Sequence, residues 1–149
     1  MITLKRTDSD DPDFRFLVGF LDAELSERDG EDHSFYAQFN KVDMIKHVVL
    51  AYNNGEPVGC GAIKAYEEGI AEVKRMFVPL ASRKQGIAAK VLSELEKWAV
   101  ELGYTACILE TGKKQPEAIA LYQKCGYHIT TNYGQYAGVD NSVCMKKDL

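Results

Sequence analysis

Little in this chain marks it for a metal, a membrane or a nucleic acid. It has no H-E-x-x-H and no Cys/His cluster, and His33, His47 and His128 are scattered, so no metal centre is expected. The four cysteines, Cys60, Cys107, Cys125 and Cys144, form no C-x-x-C pair. Each falls in an apolar run or on a predicted helix face, which predicts buried thiols in a reducing cytoplasm. No apolar run approaches membrane-span length, and residues 1–6 lack a signal-peptide core, so neither a membrane nor export is expected. An excess of positive charge is missing too. The formal net charge is −4, which argues against duplex-DNA binding and against a basic membrane-surface protein. Both common phosphate-binding fingerprints, G-x-x-x-x-G-K-[ST] and G-x-G-x-x-G, are absent. Gly59-Cys60-Gly61 is only a fragment of the second, inside a strand-like stretch. The chain also shows no internal repeat, low-complexity stretch or interdomain linker.

What is present fits one ordinary globule spanning residues 1–149, long enough to bury about two-thirds of its unfolded surface. Residues 2–6 read as a first strand. Asp11 caps a helix with Pro12 at its first position, and Phe14, Leu17, Val18, Leu21 and Leu25 fall at helical spacing. From residue 26 to 46 the pattern breaks down, with a turn at 29–32 and a short aromatic helix suggested by Phe35, Tyr36 and Phe39. Residues 47–52, 57–66 and 71–78 then form an antiparallel meander, with hairpin turns at Asn53-Asn54-Gly55-Glu56 and Glu67-Glu68-Gly69. The best helix runs over 86–102, with Ala88, Val91, Leu92, Leu95, Ala99 and Leu102 as its expected buried stripe. A strand at 105–110 should return parallel to the preceding one. A helix from Pro116 to about Cys125 and strands at 127–131 and 142–146 complete the pattern. The expected fold is mixed α/β, a mostly antiparallel sheet with helices on both faces.

The chemistry concentrates at Arg83-Lys84-Gln85-Gly86-Ile87-Ala88, between the strand and the best helix. A strand ending in a basic, glycine-bearing turn that opens into a helix makes a nest of backbone N–H groups suited to a pyrophosphate; an ordinary solvent turn is the plainer alternative. About thirty residues on stands Gln115-Pro116-Glu117-Ala118-Ile119-Ala120-Leu121-Tyr122-Gln123-Lys124-Cys125-Gly126-Tyr127. Together these match R-x-x-G-x-A and A-x-x-L-Y-x-K-x-G-[FY], and residues 71–79 are similar to the strand that precedes them. In these three features the chain resembles the GNAT superfamily of N-acetyltransferases, well over residues 47–147 and in outline before that.

The resemblance implies the GNAT fold and an acetyl-CoA-dependent transfer of acetyl to a primary amine, by direct attack in a ternary complex. It implies that Arg83, Lys84, Gln85, Gly86, Ile87 and Ala88 hold the pyrophosphate of coenzyme A. The backbone of Met76, Phe77 and Val78 would pair with pantetheine and polarise the thioester carbonyl, an oxyanion-hole device. Gln115 stands where many relatives carry an asparagine that contacts pantetheine; capping the helix at Pro116 is its rival role. Tyr122 is the implied acid for the departing thiolate, although on pattern alone it is a half-buried core residue. An ammonium of pKa about 10.4 costs roughly 4–5 kcal/mol to deprotonate at pH 7, so a base is wanted. Glu72 aligns with the strand glutamate used as base in one branch of the family. Its sidedness by simple alternation equals that of Met76 and Val78, and a surface or orienting carboxylate paired with Lys74 is the alternative. Glu110, or a chain of waters, could serve instead. The acceptor pocket is expected from residues 32–39 and 132–136. A homodimer is compatible with the exposed aromatics of the N-terminal third, and a GNAT-fold acyl-CoA-binding module without turnover is the rival from another class.

Overall fold

The computed structural model describes residues 1–29 and 45–149. The expected turn at 29–32 and aromatic helix at 35–39 lie, but for Asp29, outside the described residues, and with them the 32–39 half of the expected acceptor pocket. Seven strands, β1 (Ile2–Thr7), β2 (His47–Asn53), β3 (Glu56–Glu67), β4 (Ile70–Phe77), β5 (Ala106–Gly112), β6 (His128–Thr130) and β7 (Ser142–Asp148), make one sheet in the order β1-β2-β3-β4-β5-β7-β6. Only β4 and β5 are parallel. The described helices are α1 (Pro12–Asp29), α2 (Ile87–Glu101) and α3 (Pro116–Lys124). None of them is long and apolar enough to cross a membrane.

Local chemistry explains the element ends. Asp11 accepts the Asp13 N–H at 2.9 Å and its carbonyl accepts from Arg15 N, so it caps α1 at Pro12 as the sequence predicts. The helix runs on to Asp29, beyond residue 26 where the apolar pattern stops. At the β2–β3 hairpin, Asn54 and Gly55 take φ of 52° and 85°, the left-handed pair that a tight two-residue turn requires.

The sheet carries a core on each face. Alternation puts Val48, Leu50, Cys60, Ala62 and Phe77 against Phe14, Leu17, Val18 and Leu21 of α1. On the other face Val49, Ile63, Val73, Leu109 and Met145 meet α2 and Tyr122. The buried stripe of α2 is Ile87, Val91, Leu92, Leu95 and Ala99. Ala88 is only half-buried and Leu102, beyond the last helical turn, is 44% exposed, so the stripe starts one residue and ends three residues earlier than the spacing suggested. Gly59 and Gly61 in β3 are what let α2 lie so close. A Cβ at Gly59 would sit 2.8 Å from Ile87 Cγ2, and one at Gly61 would collide with Met76 Sδ and reach 2.9 Å from Leu95 Cδ1. The fragment of a phosphate fingerprint is therefore a packing device.

Two irregularities in β4 shape everything that follows. The first is a bulge. Cys60 pairs with Phe77 and Ala62 with Lys74, so the single residue Gly61 of β3 faces two of β4, Arg75 and Met76, and Arg75 takes φ of 58°. The extra residue reverses the alternation. Glu72, Lys74, Arg75 and Phe77 fall on the α1 face, whereas Val73, Met76 and Val78 fall on the α2 face, so Glu72 does not share the side of Met76 and Val78 that simple counting assigns it. The second is a parting of strands. β4 and β5 pair only at Ile70–Ala106, Ala71–Cys107 and Glu72–Ile108, although both continue for several residues.

Candidate functional site

Where β4 and β5 part, the sheet opens into a cavity of about 120 Å³. Its lining comes from both faces. Leu21, Leu25, Glu72, Lys74, Arg75 and Tyr136 stand on the α1 side, and Met76, Ala118 and Tyr122 on the other. A gap between parallel strands leaves the inward backbone groups of residues 73–78 without a neighbouring strand, the arrangement an extended amide-bearing chain can complete. Phe77 and Val78 are buried in opposite cores and Met76 is half-buried against α2, so the side chains of this edge are structural and its backbone is what remains for a ligand.

The turn before α2 ends close by. Lys84 and Gly86 adopt φ of 66° and 76°, both left-handed, which folds residues 83–86 into a tight corner. Lys84, Gln85 and Gly86 are exposed, Ile87 is anchored in the core and Ala88 is half-buried against it. No side chain caps α2, and its first turn holds no acid, so its leading N–H groups face outward with the positive end of the helix dipole. Arg83 is placed differently from its neighbours. Its Nε donates to Val78 O at 2.7 Å and its Nη2 to both Glu24 oxygens at 2.9 and 3.0 Å, so the guanidinium braces the turn against α1. Lys84, exposed at the corner, has no ion pair among the described residues.

Gln115 begins α3, but its side chain makes no cap bond. Only its carbonyl does, accepting from Ala118 N and Ile119 N, which leaves the amide to line the cavity. Tyr122 is buried on the inner face of α3 with Tyr127 edge-on at 6.0 Å. Burial, reinforced by Cys125 and Glu110, pushes its hydroxyl well above the usual phenol value, so it stays protonated at any working pH.

Glu72 is no surface carboxylate, being 5% exposed. Its Oε2 accepts the Tyr133 hydroxyl at 2.7 Å, and Lys74 Nζ lies 3.9 Å from Oε1. Burial pushes the Lys74 ammonium down while Glu72 opposes it. Tyr133 is raised, first by burial and then by Glu72. Tyr133 sits in the 132–136 loop, so the half of the expected pocket that is described does reach the site, but its bond to Glu72 across 61 residues had no signal in the sequence. Glu110, two residues past the partner of Glu72 on β5, faces the same side across the opening.

Arg75 is the residue to which the sequence pattern assigned no role at the site. It is 5% exposed; its Nη2 donates to Asp22 Oδ1 at 2.5 Å, while Nε and Nη1 have no hydrogen-bond partner among the described residues. Leaving such donors buried and unmet costs on the order of 1–3 kcal/mol each, which a fold carries only for a reason. The signal that could have found it is a charged residue in the middle of an apolar strand. The cysteines, in contrast, do nothing here. Burial raises Cys60 to about 12 and Cys107 and Cys144 to about 11, and none of the four lines the cavity.

The chain is similar to known proteins in sequence and in fold. The family model for the acetyltransferase (GNAT) family matches residues 9–127. The chain is 40% identical over 102 residues to an IAA acetyltransferase of Azospirillum brasilense, covering 68% of this chain and 67% of that one. It is 37% identical over 99 residues to the Escherichia coli N-acetyltransferase YjgM, covering 64% and 59%. It thus spans about two-thirds or less of the length of these relatives. Among solved structures, a Klebsiella pneumoniae protein described as an acyl-CoA N-acyltransferase superposes with a TM-score of 0.84 at 30% identity, covering 100% of this chain and 98% of its own. The PaiA N-acetyltransferase of Thermoplasma acidophilum, solved with coenzyme A, gives 0.74 at 16%, covering 100% and 99%, which speaks for the fold.

Proposed function

The chain belongs to the acetyltransferase (GNAT) family, and from that premise we propose that it carries acetyl from acetyl-CoA to a primary amine by direct attack. The observation that carries the reading is the parting of β4 from β5 after Glu72 and Ile108, a slot through the sheet open to an extended donor on one side and an acceptor on the other. The pyrophosphate rests on the N–H groups of residues 85–88 with Lys84 as counter-charge, and Arg83 holds the corner in shape. Pantetheine lies along residues 76–78 and past the Gln115 amide. A β4 backbone N–H re-aimed by the bulge at Arg75 polarises the thioester carbonyl.

Glu72, directly or through Glu110 and intervening water, takes a proton from the acceptor ammonium. The amine lone pair then attacks the thioester carbon, the tetrahedral adduct collapses as the C–S bond breaks and the sulfur leaves as thiolate, and the second proton of the attacking nitrogen passes through water to that sulfur. Tyr122, kept neutral by burial, donates a hydrogen bond to that sulfur; its raised pKa makes it a better stabiliser of the thiolate than a source of a free proton. Because burial raises all four cysteine thiols and none of them lines the cavity, the acetyl group has no ready thiolate to rest on, which supports a single displacement. Thiol release from acetyl-CoA against amines, amino acids, polyamines and N-terminal peptides tests the proposal. Stimulation by an acceptor class is expected; acetyl-CoA binding with no stimulated release by any of them would sink it.

A further inference from the structure

The geometry points to Arg75 as the subsite for a carboxylate on the acceptor, which makes the acceptor a small amino-carboxylate rather than a simple amine or polyamine. Three observations carry this. Arg75 is almost wholly buried yet its Nε and Nη1 groups, three N–H donors in all, have no partner among the described residues, and the residue lines the cavity. Its ion-pair partner among the described residues, Asp22, has a side chain 53% exposed, so the anion that compensates the guanidinium from within is not supplied by that pair. The bulge, finally, puts Arg75 on the same sheet face as Glu72, with Lys74 and Glu72 between it and the Tyr133 hydroxyl.

An ammonium beside Glu72 and Glu110 and a carboxylate beside Arg75 would match the cavity's alternating charges along one strand face. A zwitterion enters without leaving a net charge desolvated, whereas a polyamine would bring two or more cations to a guanidinium and the Lys74 ammonium. The cavity is also small. About 120 Å³ is less than the roughly 150 Å³ that accommodates benzene, so it fits the reacting ends of a short molecule. A planar, permanently charged guanidinium is the side chain suited to hold a carboxylate in a dry site.

The catalytic half of this inference rests on the acetyl-transfer reading; the binding half does not, and the experiment separates them. In one arm, calorimetry with the full chain and saturating coenzyme A compares β-alanine and γ-aminobutyrate with ethylamine, propylamine and spermidine. In the other, thiol release from acetyl-CoA is measured for the same compounds. The expected result is that an amino-carboxylate binds and reacts at least tenfold better than the amine of equal length, and that Arg75→Gln removes the preference by raising KM on the order of 10- to 100-fold while acetyl-CoA affinity is unchanged. Arg75→Lys, which keeps the charge but not the fork, should restore part of it. Binding of amino-carboxylates through Arg75 with no thiol release would sink the acetyl-transfer reading and leave this subsite standing. Equal or better use of the simple amines by the wild type, which requires no variant to fold, would overturn the subsite and leave acetyl transfer intact. An equal loss on both substrate types in Arg75→Gln would also overturn it.

Discussion

Replacing Gly61 by alanine should damage this protein although it adds only one methyl group, on the sheet face opposite Glu72 and Arg75. The new Cβ would overlap Met76 Sδ and stand 2.9 Å from Leu95 Cδ1 and 3.0 Å from Val91 Cγ1. Met76 is half-buried and can swing, but Leu95 and Val91 are fully buried, so relief has to come from moving α2 off the sheet. Overpacking of this kind costs about 1–3 kcal/mol, set against about 0.4–1 kcal/mol gained by restricting the unfolded chain. A net loss near 1–2 kcal/mol corresponds to a fall in Tm of roughly 2–8 °C at this size. Gly19 supplies the control. It lies on the exposed face of α1 with nothing within 4 Å of a Cβ, so Gly19→Ala should stabilise by about 0.5–1 kcal/mol. Urea and thermal unfolding followed by circular dichroism would measure both. Acetyl-CoA titration of Gly61→Ala should also show weaker binding, because α2 carries the anion-binding N–H groups. A Gly61→Ala protein as stable as the wild type would refute the view that these glycines set the height of α2 above the sheet.

Other perturbations have equally definite outcomes. Tyr122→Phe should lower kcat by about 10- to 10²-fold with acetyl-CoA affinity unchanged by calorimetry, since only the hydrogen bond to the departing sulfur is lost. Glu24→Gln frees Arg83 from a half-exposed ion pair, so it should cost no more than about 1 kcal/mol of stability yet alter acetyl-CoA affinity measurably by calorimetry, because the corner it braces loosens. Asp11 meets Lys5 Nζ at 2.7 Å, Asp13 N and Thr7 Oγ1. Burial works to raise its pKa, but these partners together hold it below the ordinary 3.8. A depressed carboxyl stabilises above its unfolded pKa and ceases to as pH falls through the folded one. Asp11→Ala should therefore cost about 0.5–2 kcal/mol near pH 7, and the difference from wild type should shrink below about pH 4 in denaturation curves.

The positions of the described strands and helices were legible because each rests on local chemistry: Asp11 before Pro12, the left-handed pair Asn54-Gly55, the apolar stripe of α2, and the glycine after α3; the place of β7 between β5 and β6 was not. The basic turn and Tyr122 were legible for the same reason, as short motifs at fixed spacing. The side of the sheet on which Glu72 stands was not. Its position depends on one extra residue in β4, and that residue is an arginine in a conformation that glycine usually marks, so alternation counted through it comes out inverted. The work of Arg83 was equally hidden, since Glu24 lies 59 residues away, and Tyr133 reaches Glu72 across 61. A motif names residue types, while tertiary contacts decide whether a guanidinium grips a ligand or a helix.

Three residue pairs are all that join β4 to β5 along the sheet. Backbone pairing therefore divides the described strands into two sets, β1–β4 and β5–β7, that meet at one corner, while the core under α2 and the Tyr133–Glu72 bond hold the sets together. Hydrogen exchange at residues 73–78 should be the fastest within the sheet interior. A chain of amides laid into the slot would act as the missing strand between the sets, and its protection should spread from that edge into β5 and β7.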